Sequence, residues 1–387
     1  MTTRVDVIVP TVGRDSLAML LEALGAAAGP LPGRVLLVDD RHDRSAPLLK
    51  AGPPGRLAGR LLLVAGRNAG PAAARNLGWR QATAPWVAFL DDDVVPDPSW
   101  LADLDADLAG LAREVAGSQG RLRVPLPTGR RPTDWERNVH GLEAARFATA
   151  DLAYRRDVLA EVGGFDERFP RAYREDADLA LRVLRSGYRI QQGRRSASHP
   201  VRRADRLVSV RLQAGNADDV LMRALHGPAW RVAAGVTRGR RRRHLATVAA
   251  GLAALAGIAL GRHCETPPTG GVRGLPMGKG GLWARVAALA GAGWLAGTAE
   301  LAWARIAPGP RTLDEVATMV VTSLLLPPAA SWHWLDGWRR LPALLADIAR
   351  VPRSGRARPA AELFDRGLLL GAEEAGRPTA FPAGRAR

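Results

Sequence analysis

The sequence is short of cysteine and lysine. Its single cysteine, Cys264, excludes an internal disulfide framework and favours a reducing compartment. Only two of its 55 basic residues are lysines, a bias that we attribute, with the many alanines and glycines, to a GC-rich coding sequence. The first residues, MTTRVDVIVPTVGR, contain only a short apolar run that leads into a patterned strand, so no signal peptide is expected there.

The rest of the composition describes a globular chain with uneven charge. Apolar residues make up 47% of the 387 positions, enough for two domains or for one large domain with an extension. Of the net charge of +17, residues 237–387 contribute +11, with 21 basic and 10 acidic side chains. This excess suits an anionic membrane face or phosphates on a substrate. Nucleic acid is not an expected partner, because the tryptophans cluster in apolar segments instead of alternating with basic residues.

Strand and helix patterns alternate through the first part of the chain. Apolar runs predict strands at residues 4–10, 34–40, 60–66 and 86–90, and helical periodicity predicts helices at 15–28 and 71–82. This rhythm predicts an α/β fold with a mainly parallel central sheet. In such sheets ligands bind beyond the C-terminal ends of the strands, which is where Asp39, Asp40 and Asp91–Asp93 fall.

Three consecutive carboxylates, Asp91–Asp93, directly follow the apolar run WVAFL. Like charges this close repel one another, and burial raises the cost of charging them. A divalent cation would remove that cost, whereas a solvated acidic loop is the simpler alternative. The second acidic cluster at the same predicted sheet edge favours a metal and ligand site.

Six segments together resemble the family 2 glycosyltransferases, which have the Rossmann-like GT-A fold. They are VIVPTVGR, VLLVDD, NAGPAAARN, FLDDDVVPD, GGFDERF and EDADLALR, and they follow the family's order over roughly residues 4–190. The resemblance implies an inverting transfer of a sugar from a nucleotide-diphosphate sugar to an acceptor hydroxyl. It also implies assistance by Mg²⁺ or Mn²⁺, since a D-x-D pair can hold a cation against the leaving diphosphate.

The same resemblance assigns the cation ligands. Asp93 would be the main ligand, and Asp91 would lie near the cation or the donor ribose. His199 is a further candidate ligand, with a structural role as the alternative. Asp92 is expected to point the other way along an extended backbone.

Donor-binding residues also follow from the resemblance. They are Pro10, Thr11, Asp39, Asp40, Asn68, Gly70, Arg75 and Asp91. Arg75 would face the diphosphate, or else form a salt bridge on the helix surface. Asp151 is a candidate contact for the sugar hydroxyls. The segment VDDR replaces the more usual VDDGS, so the missing glycine leaves the turn after Asp40 in question.

An inverting transfer needs a general base that takes the proton of the acceptor hydroxyl. By resemblance this base is Asp176, with Glu175 as the second candidate. The neighbouring carboxylates Glu175 and Asp178 are expected to raise its pKa. Alternatively, these acids only cap the helix that follows. Because the D-x-D pair and Asp176 are both present, a non-catalytic scaffold of the same fold is the weaker hypothesis.

The last third of the chain has a different character. A basic run, TRGRRRRH at 237–244, precedes apolar segments at 245–261, 282–306 and 316–335. Three alternatives stay open for these segments: attachment in the plane of a membrane surface, true spanning, or a soluble helical subdomain. The basic run favours a cytoplasmic location at the inner face of the plasma membrane.

We therefore predict three parts: a GT-A domain at 1–215, a helical apolar region at 216–350 and a disordered basic tail at 351–387. The expected acceptor is a glycan, a lipid-linked sugar or a small metabolite in cell-envelope or glycan biosynthesis. Polyprenyl phosphate itself is the alternative acceptor, because the C-terminal third is both basic and apolar. Asp218 and Asp219, in GNADDVLMRALHG, are expected to cap a helix, with an acceptor-side role as the alternative.

Overall fold

The computed structural model describes residues 3–49, 52–263 and 279–346. Both Cys264 and the predicted tail at 351–387 lie outside these ranges. Within them, eight strands form one sheet: β1 (Val5–Thr11), β2 (Val35–Asp39), β3 (Leu61–Ala65), β4 (Trp86–Leu90), β5 (Val95–Pro96), β6 (Val115–Arg123), β7 (Asp151–Arg155) and β8 (Arg189–Ser198).

Helices surround this sheet and follow it along the chain. Those of the first part are α1 (Ser16–Ala26), α2 (Pro71–Gln81), α3 (Trp100–Leu108), α4 (Asp134–His140), α5 (Arg156–Val162) and α6 (Glu175–Arg185). Those that follow are α7 (Val208–Arg211), α8 (Gly215–His226), α9 (Trp230–Ala233), α10 (Arg241–His263), α11 (Lys279–Ile306) and α12 (Leu313–Ala346).

The strand order in the sheet is β3-β2-β1-β4-β7-β6-β8-β5. Strands β3, β2, β1 and β4 pair in parallel, as do β6 and β8, while β7 and β5 run antiparallel to their neighbours. The predicted α/β fold with a mainly parallel sheet is therefore confirmed. In this register Thr11 lies beside Asp39. The parallel strands thus bring both acidic clusters to one sheet edge.

Apolar side chains cover both faces of the sheet, which explains the unbroken apolar runs of β2 and β4. All five residues of each of these strands are buried. Successive side chains point to opposite faces, so Leu36 and Val38 enter one core and Val35 and Leu37 the other. The first core continues into α6 and α8, and the second is closed by α1 and α3.

Helix α8 connects the sheet to the C-terminal helices. Its Val220, Leu221 and Met222 are buried in the same core as the first face of the sheet. On its other side, a Cβ at Gly337 of α12 would lie 2.8 Å from the Cα of Ala217, so the two helices approach closely. The predicted domain boundary between 215 and 216 falls at the start of α8 and stays a prediction.

Helices α10 and α11 pack together through glycines. A Cβ at Gly257 would lie 3.0 Å from the backbone nitrogen of Ala287, and one at Gly297 would lie 2.5 Å from the hydroxyl of Thr247. Two described helices, α10 and α12, are long and apolar enough to cross a membrane by length and composition. In the most apolar window of α10, 11% of the residues are buried, against 33% in that of α12.

Candidate active site

A cleft of about 1340 Å³ opens at the edge where β1, β2 and β4 end. One side is formed by the ends of these strands, with Thr11, Asp40 and Asp91–Asp93. The other side is formed by α4, by the segment before α6 and by segments from His199 to the start of α10, including Arg174 and Trp230. The predicted residues that line it are Pro10, Thr11, Asp40, Gly70, Arg75, Asp91, Asp93 and His199; Asp39, Asn68, Glu175 and Asp176 are not among its lining residues.

Asp92 is buried and serves the strand ends. Its carboxylate accepts a hydrogen bond of 2.6 Å from the hydroxyl of Thr11 and forms an ion pair with Arg14. Burial raises the pKa of Asp92, and Arg14 opposes that shift. Asp92 therefore fixes the loop after β1.

Arg75 joins the D-x-D segment to the first turn of α6. Its side chain is 2% exposed and donates to Asp91 at 2.7 Å and to Glu175 at 2.8 Å. The salt bridge is thus internal and not on the helix surface. Arg75 positions two carboxylates, and its predicted contact with a diphosphate stays a prediction.

Asp93 is held by two basic side chains. The Nε of Arg202 lies 2.9 Å from one carboxylate oxygen, and Nε2 of His199 lies 3.4 Å from the other. Burial works against ionisation, but His199 and then Arg202 hold the pKa of Asp93 below its ordinary value. Basic side chains of the chain itself thus offset the repulsion among the three adjacent carboxylates.

The donor set fits a divalent cation by chemistry. Among the described residues, no three His, Cys, Asp or Glu side chains already form a metal cluster. The carboxylates of Asp91 and Asp93 are nevertheless ligands that both Mg²⁺ and Mn²⁺ sites use, and the imidazole of His199 suits a transition-metal ion more than Mg²⁺. Nδ1 of His199 is buried without a hydrogen-bond partner. For a cation to take both oxygens of Asp93, Arg202 has to move.

Glu175 and Asp176 form an acidic pair in the first turn of α6. Glu175 is 2% exposed, and its Oε2 is buried without a partner. Burial, followed by repulsion from Asp176, raises the pKa of Glu175 to about 8 against the pull of Arg75. Asp176 is half-buried and accepts a hydrogen bond of 2.7 Å from the N–H of Ala177, and burial raises its pKa as well.

The residue before this pair has a strained backbone. Arg174 has φ of 78°, a left-handed conformation that residues other than glycine rarely adopt. Its guanidinium lies 4.1 Å from the ring centroid of Tyr173 and 5.1 Å from that of Trp230, and it donates to Asp219 at 2.9 Å. These contacts hold Arg174 in the conformation that starts α6 at Glu175.

The sequence did not predict the contacts that Asp218 and Asp219 make with arginines. Asp219 binds Arg174 and Arg231, and Asp218 binds Arg171 at 3.0 Å, so both carboxylates serve arginines and neither caps α8. The adjacent aspartates were the only signal for these contacts. Their arginine partners lie 12 to 47 positions away in the chain.

The acidic residues after β2 also have partners. Both oxygens of Asp39 accept from Arg41, at 2.8 and 2.7 Å, and Asp40 accepts a hydrogen bond of 2.9 Å from the N–H of Gly70. Arg41 lies against Gly13, where a Cβ would be 2.5 Å from its Cδ. The VDDR turn therefore closes without the family's glycine, because Arg41 folds back onto Asp39.

Gly70 and Asn68 shape the entry into α2. Gly70 has φ of 91°, and a Cβ there would lie 2.4 Å from the carbonyl oxygen of Pro170, so only glycine fits. Asn68 is exposed, has φ of 52°, and its amide lies 3.1 Å from Nδ1 of His42.

The prediction for Asp151 is wrong. Its side chain is fully buried, accepts from Nε1 of Trp100 at 2.8 Å and pairs with Arg195 at 2.7 Å. A carboxylate enclosed in this way cannot reach the hydroxyls of a sugar. It belongs instead to an internal ion network that joins β7, β8 and α3.

Residues 6–157 match the family described as glycosyl transferase family 2. This part of the chain is a family 2 glycosyltransferase domain. The assignment confirms the resemblance seen in the motifs and, with the sheet topology, the predicted GT-A class. The match ends before α6, so it does not include the acidic pair.

Two curated proteins are similar to this domain. The pre-mycofactocin glycosyltransferase of Mycobacterium tuberculosis is 32% identical over 141 residues, which cover 32% of this chain and 28% of the relative. The O-antigen biosynthesis protein RfbC of Myxococcus xanthus is 29% identical over 219 residues, covering 49% and 16%. The chain thus matches less than a third of the length of these relatives.

Solved structures with likeness to the chain include TarS and GalNAc-T7. TarS 1-349 of S. aureus in complex with UDP has a TM-score of 0.39 and 15% identity, covering 89% of this chain and 92% of that one. GalNAc-T7 with UDP, GalNAc and Mn²⁺ has a TM-score of 0.40 and 16% identity, covering 52% and 44%.

Proposed function

We propose that the protein is an inverting, metal-assisted glycosyltransferase that moves a sugar from a nucleotide-diphosphate sugar to an acceptor hydroxyl at a membrane surface. One observation carries this proposal. The buried guanidinium of Arg75 links Asp91 of the D-x-D pair to Glu175, the neighbour of the candidate base. The two halves of a transfer site, from segments 84 residues apart, are thereby held in one rigid unit.

Asp91, Asp93 and His199 would hold the cation. When bound, a divalent cation offsets the negative charge that develops on the leaving diphosphate. Pro10, Thr11, Asp40 and Gly70 line the same cleft and are the proposed contacts for the donor nucleotide. Asp39 supports them indirectly by fixing Arg41 against the loop after β1.

Asp176 is the proposed general base. It takes the proton of the acceptor hydroxyl while that oxygen bonds to the anomeric carbon. The bond from this carbon to the β-phosphate oxygen breaks, and its electron pair leaves with the diphosphate. Because burial raises the pKa of Asp176, its carboxylate is a stronger base than an exposed aspartate. Burial raises the pKa of both Glu175 and Asp176, so the two carboxyls titrate as a coupled pair.

Attachment to the inner face of the membrane is the second part of the proposal. Large apolar side chains of α10 and α12 are exposed, among them Leu252, Leu255, Ile258, Trp332 and Trp338. Exposed apolar surface of this extent, with tryptophans, suits the boundary between headgroups and acyl chains. A cytoplasmic location agrees with the use of a nucleotide-sugar. By the name of the RfbC relative, an O-antigen biosynthesis protein, glycan biosynthesis of the cell envelope is the pathway class that we propose.

The test is nucleotide release by the purified full chain. UDP-, GDP-, ADP- and dTDP-sugars are supplied with Mn²⁺, Mg²⁺ or EDTA, and with membrane extract as the acceptor source. We expect release from one donor class that is lost with EDTA and in Asp93→Ala, and kept in Asp157→Ala, which removes an exposed carboxylate far from the cleft. If the folded protein releases no nucleotide from any donor in the presence of extract, the proposal is wrong.

A further inference from the structure

Six arginines line the side of the cleft that faces away from the strand ends. They come from the end of α8, from α9 and from the segment that leads into α10: Arg223, Arg231, Arg238, Arg240, Arg241 and Arg242. We call this set the arginine wall. Four of the six belong to the basic run TRGRRRRH, so the run lines a cavity in addition to preceding an apolar helix.

Little negative charge opposes the wall. Arg231 pairs with Asp219, and Arg240 pairs with Glu300. In the part of the chain that the structure describes, none of the other four arginines of the wall forms a salt bridge with a carboxylate. Arg241 is attracted by Asp219 but repelled by Arg231, Arg223 and Arg242. Uncompensated like charges around one cleft favour an anion that is not part of the chain.

The wall is distinct from the arginines at the strand ends. The arginines near the strand ends are already engaged, Arg14 with Asp92, Arg75 with Asp91 and Arg202 with Asp93. The wall is connected instead to the acidic pair of α6. Asp219 binds Arg231 of the wall with one oxygen and Arg174, the residue before Glu175, with the other.

An apolar surface begins where the wall ends. Arg241 starts α10, and its guanidinium lies 5.2 Å from the ring centroid of Trp334 on α12. Further along α10, Leu252, Leu255 and Ile258 are exposed. A ligand with a charged head in the cleft and an apolar chain along α10 would satisfy both surfaces.

We propose that the arginine wall binds a phosphate or diphosphate group carried by the acceptor, and that this acceptor is an amphiphile. Guanidinium groups suit this ligand because each can donate two parallel hydrogen bonds to phosphate oxygens. The inference rests on the proposed transferase function, because it names the acceptor class for the same site.

The experiment measures binding by equilibrium dialysis, so it does not depend on turnover. The full chain in detergent micelles is tested with farnesyl phosphate, with farnesol and with glucose 1-phosphate. We expect farnesyl phosphate to bind at least tenfold more tightly than either of the others, with an affinity that falls as salt is added. In Arg238→Gln/Arg242→Gln its affinity should fall at least tenfold. Arg113→Gln/Arg156→Gln, which removes two exposed arginines far from the cleft, is the matched control.

Each outcome has a defined meaning. Equal binding of farnesyl phosphate and farnesol, or unchanged binding in the double variant, would overturn the phosphate site. If the wild type binds glucose 1-phosphate tightly and the double variant does not, the phosphate site stands. The proposal that the acceptor is an amphiphile is then overturned. Arg238→Lys/Arg242→Lys keeps the charge, so partial recovery of affinity in this variant shows that loss in the glutamine variant is not a folding defect.

Failure of this inference can be told from failure of the proposed transferase. Asp93→Ala should lose nucleotide release and still bind farnesyl phosphate like the wild type. If the protein releases nucleotide but shows no preference for phosphate in the binding assay, the phosphate site on the arginine wall is refuted. The proposed transferase function is then unaffected.

Discussion

The two sides of the cleft differ in whether their charged side chains have partners of opposite charge. At the strand ends, every carboxylate of Asp91–Asp93 has a basic partner within the chain. On the arginine wall, most guanidinium groups have no acidic partner among the described residues. The acidic side is therefore stable without a ligand and must exchange a partner to bind a cation, whereas the wall is stabilised by any suitable anion.

The largest expected effect comes from the proposed base. Asp176→Asn keeps the shape of the side chain and its acceptor for the N–H of Ala177, but it cannot take a proton. We expect kcat to fall by about 10²- to 10⁴-fold, the range for loss of a general base. Steady-state transfer assays measure this, with Asp157→Asn as the control. If turnover survives within a few-fold, Asp176 is not the base and Glu175 becomes the candidate.

Next in size is the bridge between the two halves of the site. Arg75→Met leaves Glu175 buried without its cation and Asp91 without its internal partner. Breaking one partner of a buried ion pair costs about 3–5 kcal/mol. Urea unfolding should show this loss, and Arg80→Met, an exposed residue of the same helix, should change the free energy of unfolding by less than about 1 kcal/mol. Equal losses in the two variants would contradict the bridge.

A smaller effect concerns the strain at Arg174. Glycine adopts φ of 78° freely, whereas alanine does not, and both remove the guanidinium. Arg174→Ala should therefore be less stable than Arg174→Gly by about 1 kcal/mol. Thermal unfolding of the two variants gives the difference. An alanine variant as stable as the glycine variant would mean that the backbone relaxes and that no strain is held there.

The pH dependence of stability tests the protonation of Glu175. Burial raises the pKa of Glu175 to about 8, so the folded state binds a proton that the unfolded state releases between about pH 4.5 and 8. Stability from this group is present below pH 4.5 and is lost as the pH rises towards 8. Glu175→Gln lacks this loss. The difference in the free energy of unfolding between wild type and variant should therefore change by more than about 1 kcal/mol across this pH window. Parallel stability curves would show that Glu175 is ionised in the folded state.

Local sequence patterns were sufficient to predict several parts of the site. Parallel strands end at one edge, so the apolar runs before Asp39 and Asp91 already bring these acids together. The helix that starts at Glu175 was equally readable, because apolar residues recur with helical spacing after an acidic turn. Gly70 and Pro71 marked the start of α2 in the same way.

Contacts between distant segments were beyond such reasoning. Arg75 and Glu175 are 100 positions apart, and nothing in the local pattern of either shows that they meet. The basic run at 237–244 indicates an apolar helix beside a membrane face, and the C-terminal charge suits phosphates on a substrate, but the pattern does not place the run in the cleft. Trp230, a few residues before the run, is buried in the core with residues of α6 and α8. Asp151 was misassigned because its partner Arg195 is likewise distant.

The most direct test of the account separates the two sides in one assay. Donor and acceptor KM values are measured for Asp93→Asn and for Arg238→Gln/Arg242→Gln, with the donor from the nucleotide panel. The acceptor is a farnesyl-diphosphate-linked sugar, which carries both a diphosphate and a hydroxyl. We expect Asp93→Asn to impair kcat and donor binding. We expect Arg238→Gln/Arg242→Gln to raise the acceptor KM at least tenfold and to change the donor KM less than about threefold. If both variants impair the same substrate, the two sides of the cleft do not divide donor from acceptor, and the account is contradicted.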